Sequence, residues 1–258
     1  MRWTRLEVER SGPILRVWLN RPEKRNALDT PALEELGELF RGLQADFEAR
    51  VIVLGGRGPS FCGGADRGDP PGSARMRASS GATEREQRYA AQLGLRTSRA
   101  IEDAEAVTIA RIQGHAVGGG FVLALACDFR IAAESAQFQL PEIDLGVPLT
   151  WGATPRLIDE VGAARAREIL LLCDRVDAAR AERWGVVHRV VPDAELDAAV
   201  EAWAERIAAK PEVAVHMTKT QLRAYRRRAL LGDVSEADGD LLRGAARAGV
   251  TRERSRDE

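Results

Sequence analysis

Residues 107–126 read VTIARIQGHAVGGGFVLALA. Val107–Ile112 has the length and composition of a strand, Gly114 and the triplet Gly118-Gly119-Gly120 form a turn, and the apolar run through Cys127 reads as a buried helix. The same design occurs earlier. Val51-Ile52-Val53-Leu54 is a short, fully apolar strand ended by Gly55-Gly56 and followed by Phe61-Cys62-Gly63-Gly64-Ala65-Asp66. An all-apolar strand after a helix points to a parallel sheet covered on both faces, hence to an α/β fold. Glycine lets the backbone approach a ligand closely and turn its N–H groups toward it. A helix start adds free N–H groups and a partial positive charge. Two such turns brought together would supply a pair of donors, an oxyanion hole. Taken singly, a glycine triplet serves close helix–strand packing equally well. The spacing is neither GxGxxG nor a GxxxxGK loop, so it describes no nucleotide site.

On either side of this stretch the chain keeps a mixed pattern. Arg5–Arg10 and Ile14–Asn20 alternate apolar and polar around Ser11-Gly12-Pro13, as a hairpin does. Residues 20–26 are a polar turn, after which Asp29 or Thr30 caps a helix with Pro31 in its first turn. Residues 70–81, rich in Pro, Gly, Ser and Ala, read as a mobile loop, and one long helix is expected from Thr83 to about Asp103. Short strands are expected at 129–132 and 136–138, helices at 154–172 with a break at Gly162 and at 177–184, and a strand at 186–191. Beyond Pro192 only helices are expected, at 193–209, 212–230 and 235–248, ahead of a charged, frayed end at 251–258. The division is therefore an α/β core, residues 1–192, and a helical tail, residues 193–258.

Composition narrows the function classes. The 258 residues carry 38 Lys+Arg and 39 Asp+Glu, a formal net charge of −1, and so lack the net basic surface that binding nucleic acid or an anionic membrane needs. Cys62, Cys127 and Cys173 are widely spaced, and His115, His188 and His216 are scattered without an HExxH, so neither a disulfide framework, a zinc ribbon nor another metal site is expected. MRWTRLEVER lacks the apolar stretch of a signal peptide, and no run approaches the ~20 apolar residues of a membrane span. The expectation is a soluble protein of a reducing compartment, the cytoplasm.

Taken together and in order, Asn20-Arg21-Pro22, Arg25-Asn26-Ala27-Leu28, Phe61 with Gly64-Ala65-Asp66, Gly114 with Gly118-Gly119-Gly120, Cys127-Asp128, Ala136-Gln137-Phe138, Pro141-Glu142 with Leu145-Gly146, and residues 181–192 resemble the crotonase, or enoyl-CoA hydratase/isomerase, superfamily. The resemblance covers roughly residues 5–247. It implies an α/β fold built as a spiral of ββα turns with a C-terminal helical tail that serves trimerisation or as a lid. It also implies a homotrimer or dimer of trimers, an acyl-CoA thioester as substrate, and no cofactor apart from the coenzyme A that the substrate carries. The Ala65 and Gly119 N–H groups match the family's oxyanion hole, where losing one donor costs about 2.7–4 kcal/mol of transition-state stabilisation. Lys24, Arg25 and Ala27 match the turn near the CoA adenine and phosphates, and Arg67 adds a cation. A C-terminal Phe with Glu-Lys-Arg, usual in the family, is missing here.

Acid and base set this chain apart. Hydratases of the family carry one glutamate two residues after the glycine triplet and another in the Pro-Glu motif. Here the first position is Val122 and the second is Glu142. Activation of water by one carboxylate with protonation by the other loses half its groups, whereas one carboxylate suffices to move a proton between two carbons. The resemblance therefore implies enoyl-CoA isomerase-like proton transfer with Glu142 as sole acid/base. The alternatives are hydration of a 2-enoyl-CoA by Glu142 alone, or a CoA-binding member with little catalysis. An apolar pocket with Phe121 and Val122 would raise the Glu142 pKa toward neutrality. Thr150 stands where dienoyl-CoA isomerases and an aromatic acyl-CoA dehalogenase of the family carry an Asp, which disfavours those reactions. Trp151 has two readings, a core residue or a wall of the acyl pocket. Cys62, His115, His188, His216, Asp66 and Asp144 read as structural.

Overall fold

A computed structural model describes residues 3–76, 80–229 and 237–247. Leu6–Ser11 (β1) and Ile14–Leu19 (β2) form the expected antiparallel hairpin, with Leu6 opposite Leu19. Thr30–Gly42 (α1) starts where Asp29 Oδ1 accepts the Ala32 N–H at 2.9 Å, a cap worth about 1 kcal/mol. Val51–Gly56 (β3) leads through the glycine-rich 61–66 loop to a short helix, Ser73–Met76 (α2), inside the segment expected to be loop. The long helix expected at 83–103 is two, Glu84–Ala91 (α3) and Leu93–Glu102 (α4), because Gln92 leaves helical geometry at φ −92°, ψ 4°. α3 opens with a capping box in which Thr83 and Glu86 satisfy each other's backbone N–H groups.

Val107–Ile112 (β4), His115–Val117 (β5), Gly119–Ala126 (α5), Phe129–Ala133 (β6) and Gln137–Gln139 (β7) follow. Ala153–Leu172 (α6) is broken at Gly162, whose φ of 74° and ψ of 162° are not helical. Next come Val176–Asp177 (β8), Ala178–Arg183 (α7), Arg189–Val191 (β9), which is shorter than the strand expected at 186–191, and the helices Leu196–Ala208 (α8), Glu212–Ala229 (α9) and Asp238–Arg247 (α10). Residues 77–79, 230–236 and 248–258 lie outside the described residues, so parts of the expected loop and final helix, and the whole charged end, do as well.

One sheet runs β1-β2-β3-β4-β6-β9, parallel from β2 onward, and a smaller one runs β5-β7-β8. Alternation along the large sheet sends apolar side chains of its inner strands to both faces. Ile52, Leu54, Ala110, Ile112 and Ala132 face a core shared with α1, α5 and α6. Val51, Val53, Ile109, Ile131 and Val191 face Leu196, Val200 and Ala204 of α8. α8, which follows Pro192, packs on this face against β2, β3, β4 and β6. α9 is anchored by Lys219 Nζ, which donates to Ala106 O and pairs with Asp128, each at 2.7 Å. α10 lies on α3 and reaches back to the start of α6, where Asp238 accepts the Gly152 N–H at 2.7 Å. Among the described residues no helix is long and apolar enough to cross a membrane.

Candidate active site

The two glycine-rich turns meet because each is stitched to the other by backbone. Phe61 N–H donates to Gln113 O, Cys62 N–H to His115 O, and Val117 N–H to Cys62 O, at 2.8, 2.8 and 3.0 Å. A β-carbon built on Gly64 would lie 3.6 Å from the Gly119 nitrogen, so the 61–66 loop lies directly against the start of α5. Ala65 bridges Leu28 in parallel. Leu28 N–H donates to Gly64 O and Asp66 N–H to Leu28 O, both at 2.8 Å, which turns the Ala65 N–H to the opposite side. Gly119 opens α5, where a helix leaves its first N–H groups without internal partners. Among the described residues neither the Ala65 nor the Gly119 N–H has a hydrogen-bond acceptor.

Each glycine of the triplet has its own reason. Gly118 adopts φ 51°, ψ −124°, closed to most side chains, and a β-carbon there would sit 3.0 Å from Glu142 Oε1. A β-carbon on Gly119 would stand 2.3 Å from the Trp151 ring, and one on Gly120 would meet Cys62 O at 2.5 Å. Close packing therefore requires glycine at each of the three positions, and positive φ requires it at Gly118 as well.

Glu142 lies in the turn after β7, held where Val147 N–H donates to Glu142 O at 3.0 Å. Its carboxylate is folded inward beside Gly118. Oε2 is buried without a hydrogen-bond partner. Burial pushes the carboxyl pKa up to about 7, opposed only by the residue's own N–H. Val122 is fully buried in α5, and Phe121 is turned into the core, its ring 5.2 Å from Phe138. Asp144 is exposed. Trp151 is partly buried beside Gly119 with φ 61°, its carbonyl accepting from Ser98 Oγ at 2.8 Å and Arg156 at 2.9 Å.

Lys24 and Arg25 occupy the exposed turn at 22–27, which docks on the 61–66 loop through Gly63 N–H to Arg25 O at 2.8 Å; Ala27 beside them is half-buried. Arg67 is exposed one residue past that loop. Lys24, Arg25 and Arg67 have no ion-pair partner among the described residues. Cys62 donates its thiol to Asn26 O at 3.1 Å, and burial raises its pKa to about 12, so no thiolate is available for nucleophilic chemistry. Among the described residues no group of three or more His, Cys, Asp or Glu could hold a metal ion.

Two side chains within the sequence motifs support the site. Arg21 donates to Ala27 O at 2.8 Å and pairs with Asp66 at 3.0 Å and Asp29 at 3.1 Å, bracing both turns. Buried Asn26, at φ 55°, donates to Arg57 O, Ser60 O and Phe61 O at 2.9, 2.8 and 3.2 Å. Asp66 is thus a brace for its loop. Arg175 had no signal in the sequence at all. It comes near His115 only through β8, and desolvation, then the charges of Arg25 and Arg175, lower the His115 pKa.

A sequence profile described as enoyl-CoA hydratase/isomerase matches residues 9–248. The chain belongs to the enoyl-CoA hydratase/isomerase family. A crotonyl-CoA hydratase of Syntrophomonas wolfei is 34% identical over 220 residues, covering 85% of this chain and 81% of that protein. The crystal structure of an enoyl-CoA hydratase from Mycobacterium avium subsp. paratuberculosis superposes with a TM-score of 0.83 at 29% identity, covering 96% of this chain and 98% of that one. A monofunctional enoyl-CoA isomerase of M. smegmatis gives a TM-score of 0.69 at 30% identity, covering 86% and 94%. The protein is accordingly an acyl-CoA enzyme of the enoyl-CoA hydratase/isomerase family with the crotonase fold and a helical C-terminal region. Relatives bearing hydratase and isomerase names both match, so family membership by itself does not select between the two reactions.

Proposed function

We propose that this family member moves a proton within an enoyl-CoA, with Glu142 as its sole acid/base. The observation that carries this reading is the Glu142 carboxylate: inward-facing, one oxygen without a partner, beside Gly118 and next to two N–H groups without acceptors. A thioester oxygen between the Ala65 and Gly119 N–H groups would hold its α-carbon within reach of that carboxylate. Glu142 takes a proton from C2 of a 3-enoyl-CoA. The C–H electron pair enters the conjugated system, and negative charge collects on the thioester oxygen, where the two N–H groups hold it. Protonated Glu142 returns the proton to C4, the double bond settles between C2 and C3, and the carboxylate is restored. A pKa near 7 suits a group that must both accept and return a proton near neutrality.

Val122 favours this over hydration. An apolar, fully buried side chain holds the position from which a second carboxylate would orient water. Hydration of a 2-enoyl-CoA by Glu142 alone is the second reading, supported by the hydratase names of the relatives. Lys24, Arg25 and Arg67 take the CoA phosphates, and no separate cofactor enters the scheme. Three buried free cysteines suit a reducing, cytoplasmic setting. Assembly as a homotrimer or dimer of trimers belongs to the same reading. Its support is the exposed apolar surface of α9, with Val213, Met217, Leu222 and Tyr225, and sedimentation equilibrium tests it.

The deciding experiment supplies 3-enoyl-CoA and 2-enoyl-CoA separately and follows conjugation and hydration. Faster conjugation of the 3-enoyl substrate, lost in Glu142→Gln, is the expected result. Hydration outrunning it would establish the second reading, and tight CoA binding with neither reaction would make the chain a binding protein.

A further inference from the structure

Trp151 is the least expected residue at the site. Its backbone lies in the left-handed region at φ 61°, where a bulky residue is rare, and the surrounding structure holds it there. Ser98 Oγ and the buried Arg156 guanidinium both donate to its carbonyl, and Asp238 of α10 accepts the N–H of the next residue, Gly152. The indole enters a slot made by two glycines. A β-carbon on Gly94 of α4 would stand 2.0 Å from the ring, and one on Gly119 would stand 2.3 Å from it. Any side chain larger than hydrogen at either position would expel the ring.

The slot borders the reacting atoms. Gly118 and Gly119 are adjacent, about 3.8 Å apart at Cα. Glu142 Oε1 approaches the first, and the benzo edge of the indole approaches the second. An acyl group whose carbonyl oxygen is bound at the Gly119 N–H and whose α-carbon faces Glu142 meets the ring within a few carbons. We propose that Trp151 is the specificity-determining residue of this chain and confines its substrates to short-chain acyl-CoA thioesters. This rests on the placement of the thioester given under Proposed function, and it adds the substrate class.

The test measures binding, so it does not depend on which reaction occurs. Saturated butyryl-, hexanoyl- and decanoyl-CoA, which have no double bond to move or hydrate, are titrated calorimetrically into the wild type, Trp151→Gly and Trp151→Asn. Glycine and asparagine both tolerate positive φ, so each removes the ring without adding backbone strain. A pocket that buries added methylenes gains about fourfold in affinity for each. The wild type should show no such gain, with affinity flat or falling from butyryl- to decanoyl-CoA. Both variants should gain at least tenfold for decanoyl-CoA relative to the wild type, a conservative threshold against about fourfold per methylene. Wild-type affinity that climbs with chain length at the fourfold rate overturns the proposal and leaves the catalytic reading standing. If none of the three thioesters binds, the acyl-CoA placement falls, and the proposal with it. A short-chain preference in a protein that neither isomerises nor hydrates keeps the proposal and removes the catalytic reading.

Discussion

Glu142 has one environment with two consequences. The low-polarity surroundings that raise its pKa to about 7 make it a base near neutrality, and they also make its ionised form costly to the fold. Glu142→Gln should lower kcat for 3-enoyl-CoA conjugation by about 10²–10⁴-fold, with an unchanged circular dichroism spectrum. In the wild type kcat/KM should rise with pH and level off above an apparent pKa of about 7, because the proposed base is the ionised carboxylate. The stability effect has the opposite sign. With a folded pKa above the ordinary value of 4.5, the native state binds the proton more tightly than the unfolded chain does. That contribution is complete below pH 4.5 and is lost as pH rises through 7. Glu142→Gln should therefore be more stable than the wild type at pH 8 by up to about 3 kcal/mol and melt higher, with the advantage shrinking toward pH 5 in calorimetric scans. The identity of this residue could be read from the Pro-Glu motif. That one carboxylate oxygen is left without a partner could not, because the groups around it come from segments far apart in sequence.

At the scale of elements, local chemistry set most boundaries. Asp29 and Thr83 cap α1 and α3, and Gly162 breaks α6 where expected, because caps and positive-φ positions depend on neighbours within a few residues. The single helix expected over 83–103 divides at Gln92, a residue with no breaking chemistry of its own. Burial of Leu95, Thr97 and Ser98 of α4 against α1, α5 and the 151–152 turn dictates the second axis. Arg21 links the 22–27 turn to Asp66, beside the Ala65 N–H proposed as an oxyanion donor. Arg21→Ala should lower kcat by as much as about a hundredfold through displacement of the Ala65 N–H, and should raise KM for the CoA thioester as well, because the 22–27 turn with Lys24 and Arg25 loses the same brace. Arg21→Lys should recover only part of the loss, since an ammonium cannot reach Ala27 O, Asp29 and Asp66 together in the geometry of a guanidinium fork. Steady-state kinetics on both variants checks this.

For the whole molecule, the ion pair of buried Arg130 with partly buried Glu160 at 2.5 Å ties β6 to α6. Arg130, fully buried, also donates to Val186 O at 2.6 Å and Cys127 O at 2.9 Å. Glu160→Gln removes the carboxylate paired with that guanidinium and should cost about 1–3 kcal/mol, read as a lower urea midpoint at unchanged slope. Through such links the sheet, α6 and the tail act as one scaffold: Glu102 pairs with Arg156, which holds the Trp151 carbonyl, and with Arg226 of α9. The family, the parallel sheet, the two glycine-rich turns, the lone glutamate and the absence of a second one were all determined by the sequence, because each is a matter of local pattern or of which residue stands where. Three things were decided only by tertiary structure. α8 is a layer of the core, the Phe121 ring packs on Phe138, and the indole of Trp151 occupies a slot between Gly94 and Gly119. The physical reason is the same for all three: burial and close approach are properties of pairs of segments, and no residue carries in its own identity the surface that will cover it.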